Sequence, residues 1–194
     1  MNLTGTSIAS ATEKEKLMVS FSGGLTSGYM AHRLKEEYGH SRDLRYVFAN
    51  TGQENEETLE FVRDCDEAFG LDVVWVEAVV NPVHGKGITS RIVNFESAAR
   101  NGEPFEAFIR KSGIPNANKP QCSDRLKALV IEHYKRTIGW AKCEHAIGIR
   151  KDEERRKSTA AMSRYNIIYP LIDLFPSDKE DVSLFGRITL SDCP

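Results

Sequence analysis

The chain has 194 residues, 40% of them hydrophobic and 28% charged, with a formal net charge of −2. That length and balance suit one domain with a sizeable core and lack the basic excess of a general nucleic-acid binder. No apolar run reaches the length of a membrane span. The four cysteines, Cys65, Cys122, Cys143 and Cys193, include no Cys-x-x-Cys pair, which argues against a zinc knuckle or a disulfide framework and fits a reduced, cytoplasmic protein.

Residues 1–15 are rich in Ser, Thr and Ala at their start, carry no apolar signal core, and read as a flexible lead-in. Residues 17–22 read as a first strand, and Tyr29, Met30, Leu34 and Tyr38 fall at helical spacing over 26–38. Between them lies Ser22-Gly23-Gly24-Leu25-Thr26-Ser27. A strand, a glycine turn and a helix present backbone N–H groups that have no partner inside the helix, at its positive end, and such a place attracts anions. Gly23 and Gly24 would let a phosphate approach the backbone. Ser22, Thr26 and Ser27 add hydroxyl donors, and Thr26 or Ser27 is expected to cap the helix. The loop is not a Walker A motif, because Tyr29 and Met30 stand where Lys and Ser/Thr belong, and it is not Gly-x-Gly-x-x-Gly.

Arg42 and Asp43 are expected in a connecting loop. Residues 44–50 form a second, almost continuously apolar strand, as suits a parallel strand covered on both faces. It ends at Asn50-Thr51-Gly52-Gln53-Glu54. A second helix follows over about 57–69 with Gly70 as its C-cap, then a third strand over 72–78. The order β-α-β-α-β predicts an α/β fold: a doubly wound, mostly parallel, Rossmann-like sheet in three layers, α/β/α. Ligands bind such sheets at the carboxyl ends of the strands, so the 22–27 loop and Asn50-Thr51-Gly52 should share a rim.

Residues 80–120 are less regular. Residues 81–87 read as a loop with a solvated Lys86, and 95–110 as one or two short helices broken by Asn101-Gly102 and Pro104. The stretch 112–120 has turn chemistry throughout. A helix then runs through Leu129, Val130 and Tyr134. Cys122 stands before it with Lys119 and Arg125 nearby, an arrangement that favours the thiolate, and Lys127 is placed to offset phosphate charge. Residues 143–150 read as a fourth strand. Cys143 and His145 share one of its faces but are too few for a metal site. The charged run from Arg150 to Arg156 would follow on the same rim, offering arginine forks that match phosphate oxygens. Residues 176–194 are a short tail with a helical turn or two over 178–185.

These segments resemble a known family. Ser22-Gly23-Gly24-Leu25-Thr26-Ser27 is similar to the PP-loop, usually Ser-Gly-Gly-x-Asp-Ser, with Thr26 at the Asp position. Asn50-Thr51-Gly52 resembles the Asp-Thr-Gly of phosphoadenosine phosphosulfate (PAPS) reductases, with Asn50 in place of Asp. Cys122 and Lys127 resemble a Cys-x-x-x-x-Lys segment. Gly148, Arg150, Glu153 and Arg156 fit the signature Gly-x-Arg-x-x-Glu-x-x-Arg, and Tyr169-Pro170-Leu171 resembles a late family segment. Over residues 16–173 the chain therefore resembles the PAPS reductase-like, or adenine nucleotide α-hydrolase-like, branch of the PP-loop proteins.

The resemblance implies a domain at 16–175 that binds ATP or another adenine nucleotide, PAPS included, with Mg²⁺. Ser20, Ser22, Gly23, Gly24, Leu25, Thr26, Ser27, Asn50, Thr51, Gly52 and Gly148 would bind the nucleotide. Lys127, Arg150, Arg156 and Cys122 would serve the chemistry. Three activities stay open. The first is cleavage of ATP between its α and β phosphates. The second is thiol-dependent reduction of a sulfonucleotide through Cys193, although the C-terminal Glu-Cys-Gly-Leu-His motif of such reductases is absent. The third is a non-catalytic nucleotide-binding module with a protein partner, in a mobile-element or nucleic-acid-modification system. A homodimer is left open, and no strong direct nucleic-acid or membrane contact is expected.

Overall fold

The structure, a computed structural model, describes residues 13–83, 85–114 and 124–189. Among these residues the strands are β1 (Glu15–Ser20), β2 (Arg42–Asn50), β3 (Val74–Val80), β4 (Ile88–Val93), β5 (Glu144–Ala146) and β6 (Ile167–Ile168). They form one sheet in the order β4-β3-β2-β1-β5-β6. Every pairing is parallel except β3 with β4. Leu17, Met18, Val19, Val47 and Phe48 are wholly buried, because both faces of these strands are covered.

The helices are α1 (Leu25–Tyr38), α2 (Glu56–Phe69), α3 (Glu103–Ser112), α4 (Leu129–Thr137), α5 (Thr159–Tyr165), α6 (Pro170–Asp173) and α7 (Lys179–Thr189). Residues of α1, α2 and α7 pack with Leu17, Val19, Phe21, Tyr46 and Phe48 on one face. Residues of α3 and α4 pack with Met18, Val47, Ala49 and Val76 on the other. The chain builds the sheet outward from β1 through β2 and β3, then returns to lay β5 on the far side of β1. Crossovers of constant hand must then put the later helices on the opposite face. The order reverses between β1 and β5, and sheets of this kind bind ligands at the carboxyl ends of the strands beside such a reversal.

Several boundaries differ from the sequence reading. Arg42 and Asp43 belong to β2, where they stand opposite Glu15 and Lys16 of β1. β3 begins at Val74 because Asp72 adopts the left-handed region, with φ 56°. The expected strand over 143–150 has only three paired residues, opposite Leu17, Met18 and Val19. β4 is an antiparallel edge that the sequence reading left as irregular chain. Pro104 opens α3 rather than breaking it, since a proline in the first turn sacrifices no helical N–H and Gly102 caps the helix with φ 83°. Gly70 does cap α2 in the left-handed region, with φ 56°. The last helix is longer than one or two turns. It lies along α1, with the Phe185 ring centroid 5.3 Å from those of both Tyr29 and His32. No helix among the described residues is long and apolar enough to cross a membrane.

Candidate functional site

β1 ends at Ser20, and the chain turns through Phe21–Gly24 into α1. Gly24 is the N-cap, with extended φ −105° and ψ 154°; no side chain caps the helix and no acidic residue lies in its first turn. The expectation that Thr26 or Ser27 caps the helix is therefore corrected. Ser27 is buried and ties the loop to itself: its hydroxyl donates to the Gly24 carbonyl (2.7 Å) and accepts from the Ser22 N–H (3.1 Å). The Ser22 hydroxyl donates to the same oxygen at 3.1 Å. The helix start is thus a rigid turn whose first N–H groups have no side-chain acceptor, the condition that favours an incoming anion.

The two loop glycines do different jobs. Gly23 has φ +78°, and a Cβ there would sit 2.4 Å from the Thr58 methyl of α2 and 3.4 Å from the Phe48 ring. It is glycine so that the loop can lie on α2 and Phe48, which is a structural reason. A Cβ at Gly24 would meet only the Ser22 hydroxyl, at 4.0 Å. Gly24 therefore faces the open side, where a ligand would approach. The Leu25 side chain points toward α7, since a Cβ on Gly186 would fall 2.9 Å from it, so Leu25 has only its backbone on the loop.

The chain after β5 closes one wall. Gly148 lies against the loop backbone: a Cβ there would be 3.3 Å from the Ser27 Cα and 3.4 Å from the Thr26 carbonyl. Two residues on, Arg150 Nη1 donates to the Thr26 hydroxyl at 3.3 Å. Asp152 grips the same guanidinium through Nε (3.0 Å) and Nη2 (3.1 Å), and Glu153 lies 3.2 Å from Nη1. The Asp152 hydrogen bonds raise the Arg150 pKa further and lower that of Asp152. Arg156 is exposed and paired with Glu153 at 2.7 Å, one step farther out than Arg150.

The opposite wall is the turn after β2. Asn50 is wholly buried, and its amide is spent inside the fold. It donates to Glu77 (2.7 Å) and to the Ala99 carbonyl (2.9 Å), and it accepts from the Gly52 N–H (3.0 Å). Glu77 is also wholly buried. It takes Arg91 through two nitrogens (3.0 and 2.7 Å) and the Ala99 N–H (2.6 Å). This network pins the 99–102 segment to the middle of β3 and the end of β2. Gly52, with φ +77°, is crowded by Pro104 and Gly102 and carries the Gly102 N–H on its carbonyl at 2.8 Å. Thr51 donates to Glu54 at 3.0 Å. Lys127 Nζ reaches the same Glu54 oxygen at 3.1 Å, from a π-helical turn over Asp124–Ala128 that precedes α4. Thus Lys127 stands at the β2 wall and Arg150 at the β5 wall, with the glycine loop between these strands' ends.

Ser20 points to the face of the sheet that α4 covers. Its hydroxyl is 2.7 Å from His145 Nε2, and Glu132 lies 4.0 Å from His145 Nδ1. The order Ser, His, Glu resembles an activated nucleophile, but its surroundings oppose that role. Burial, helped by the cation of Lys135, pushes the His145 pKa down to about 3, and Lys135 is itself buried and bound to Glu132 at 2.7 Å. An imidazole held neutral this firmly does not collect a serine proton at neutral pH.

Cys122 and Cys193 lie outside the described residues. Cys65 and Cys143 are buried in clusters on opposite faces of the sheet, and burial raises the Cys143 pKa. Among the described residues no group of three His, Cys, Asp or Glu side chains converges to hold a metal ion. Asp152 and Glu153 are both engaged with Arg150. Glu77 is absent from the sequence candidates, His145 stands there only as a residue sharing a face with Cys143, and Glu54 only as the last residue of the turn after β2. The partners Asn50, Ser20 and Lys127 that give them their places lie 27, 125 and 73 residues away.

No known family model matches the chain. It is 30% identical over 169 residues, 85% of its length, to an uncharacterized nin region protein, ORF290, of Escherichia phage lambda, spanning 57% of that protein. It is 26% identical over 151 residues, 75% of its length, to the uncharacterized protein MJ0066 of Methanocaldococcus jannaschii, spanning 25% of it. The chain thus covers from a quarter to little more than half of these relatives. Among solved structures it is similar to the U34-tRNA thiolase NcsA from Methanococcus maripaludis, solved with its 4Fe–4S cluster. The TM-score is 0.54 at 18% identity, over 93% of this chain and 58% of the thiolase chain. That likeness establishes the fold, a Rossmann-like α/β domain with a mostly parallel sheet.

Proposed function

We propose that this chain binds an adenine nucleotide as a PP-loop protein of the PAPS reductase-like branch, and cleaves ATP between its α and β phosphates. The observation that carries the reading is the approach of Arg150 to Thr26 across an uncapped helix start. It puts a permanently charged fork beside backbone donors at the point where the sheet order reverses. The loop N–H groups would hold the β and γ phosphates. An acceptor oxygen, or water, would attack the α phosphorus while the bond to the bridging oxygen breaks and pyrophosphate leaves. Arg150 and Lys127 would offset the charge gathering on the phosphate oxygens, the usual main source of acceleration in phosphoryl and nucleotidyl transfer. This chemistry needs no protein nucleophile, which agrees with the inert setting of Ser20. Mg²⁺ would arrive on the nucleotide and offset charge on its phosphates.

Incubating the full chain with α-³²P-labelled ATP and Mg²⁺ tests the reaction. AMP or an adenylylated acceptor should appear together with pyrophosphate, and Arg150→Ala should abolish both. The likeness to a U34-tRNA thiolase makes a uridine-containing RNA one acceptor to include. Products cleaved between the β and γ phosphates, or activity indifferent to Arg150, would contradict the reading.

A further inference from the structure

We propose that Glu54 is a positioning residue that holds the Lys127 ammonium at the site and hands it to the nucleotide phosphates. This rests on the nucleotide reading above. One carboxylate oxygen of Glu54 takes both the Thr51 hydroxyl, at 3.0 Å, and Lys127 Nζ, at 3.1 Å. Thr51 belongs to the turn that Asn50, Glu77 and Gly52 hold by buried hydrogen bonds, so Glu54 is fastened through the short Thr51 side chain to a fixed wall. Glu54 is mostly shielded, with 19% of its side chain exposed against 38% for Lys127, which leaves the ammonium as the more accessible partner.

Lys127 needs such a tether. A free lysine side chain loses considerable rotamer entropy when it is fixed on a ligand. Its backbone is already specialised, because Asp124–Ala128 is π-helical while Leu126 beside it is buried. An extra residue in a helical turn re-aims the side chains around it and is found often at functional sites. Leu126 anchors the turn in the core, and Glu54 catches Lys127 as it emerges. An arriving phosphate then exchanges one anionic partner for another, and the lysine is already in place.

The test has a ligand-free arm and a binding arm. In the first, the full chain without nucleotide is labelled with limiting acetic anhydride, and Lys127 modification is read by mass spectrometry. Glu54→Gln should raise Lys127 labelling about threefold, while lysines elsewhere are unchanged, because the ammonium loses the carboxylate that holds it and becomes more accessible to the reagent. In the second, Glu54→Gln should weaken ATP binding about tenfold, Glu54→Asp should recover part of the loss, and Glu54→Gln should add nothing in a Lys127→Met background. Unchanged Lys127 reactivity in Glu54→Gln, or additive losses in the double variant, would overturn the positioning role. A wild-type chain that binds no ATP while Lys127 labelling still responds to Glu54 would remove the nucleotide reading instead.

Discussion

Arg150 donates from Nη1 to the Thr26 hydroxyl at 3.3 Å although the two lie 124 residues apart. An arginine after β5 and a loop after β1 therefore present their donors at one point. Removing the guanidinium should weaken ATP binding by about tenfold or more, since hydrogen bonds to charged groups are worth about 1.5–3 kcal/mol. The melting temperature should hardly change, because its carboxylate partners are at the surface and such pairs contribute little. Arg150→Lys should restore only part of the affinity, as lysine lacks the fork. Calorimetry and thermal melts on the same preparations check both halves.

Substitutions at the two loop glycines should separate folding from binding. Gly23→Ala places a methyl group at positive φ and against the Thr58 side chain. It should cost about 1–3 kcal/mol of stability. Gly24→Val enters open space at an extended backbone position. It should leave the urea midpoint nearly unchanged while removing ATP binding. The reverse pattern would mean that the open side of the loop is not where the ligand sits.

Asn50 departs from the Asp of the resembled motif for a reason visible in the fold. Its amide donates 2.7 Å to the buried Glu77 carboxylate. Asn50→Asp would set two carboxylates in contact and strip the Ala99 carbonyl of its donor. Stability should fall by about 2–4 kcal/mol at neutral pH, with partial recovery as the pH drops and the pair takes up a proton. Denaturant unfolding at pH 7.5 and 5.5 measures this.

His145 sets a pH dependence of opposite sign. Its folded pKa is depressed to about 3 by burial and by Lys135, whereas an unfolded imidazole protonates near pH 6.5. Below that value the unfolded chain binds the extra proton, so the wild type should lose stability as pH falls, by about 2 kcal/mol from this residue at pH 5. Glu132 and Lys135 of α4 and Ser20 of β1 face the ring, and all three stay in a His145→Gln variant. Comparing the two chains by urea unfolding at pH 7.5 and 5.0 should show a shallower loss in the variant.

The order β1-α1-β2-α2-β3, the glycine loop between β1 and α1, and the Gly70 cap were legible because each is written in local chemistry: apolar strands, helical spacing, residues suited to turns. β4 escaped because an edge strand with exposed Thr89, Arg91 and Ile92 carries little hydrophobic signal. β6 escaped because two paired residues carry none. Arg150 and Lys127 were legible as candidate phosphate ligands through their motifs, but their partners were not. Glu54 stands in the sequence as the last residue of the turn Asn50-Thr51-Gly52-Gln53-Glu54 that closes the second strand, and only the π-helical turn around Lys127 makes it a partner. The inertness of Ser20 depends on Lys135 and Glu132, which no spacing rule connects to it.

The most direct measurement is a crystal structure of the full chain with the non-cleavable analogue α,β-methylene-ATP. Phosphate oxygens should lie within hydrogen-bond reach of the Leu25 and Thr26 backbone N–H groups, over the open side of Gly24, with Arg150 drawn onto them. An analogue bound elsewhere, or a loop still holding Arg150 to Thr26 and Asp152 with no phosphate above it at saturating concentration, would contradict the nucleotide site.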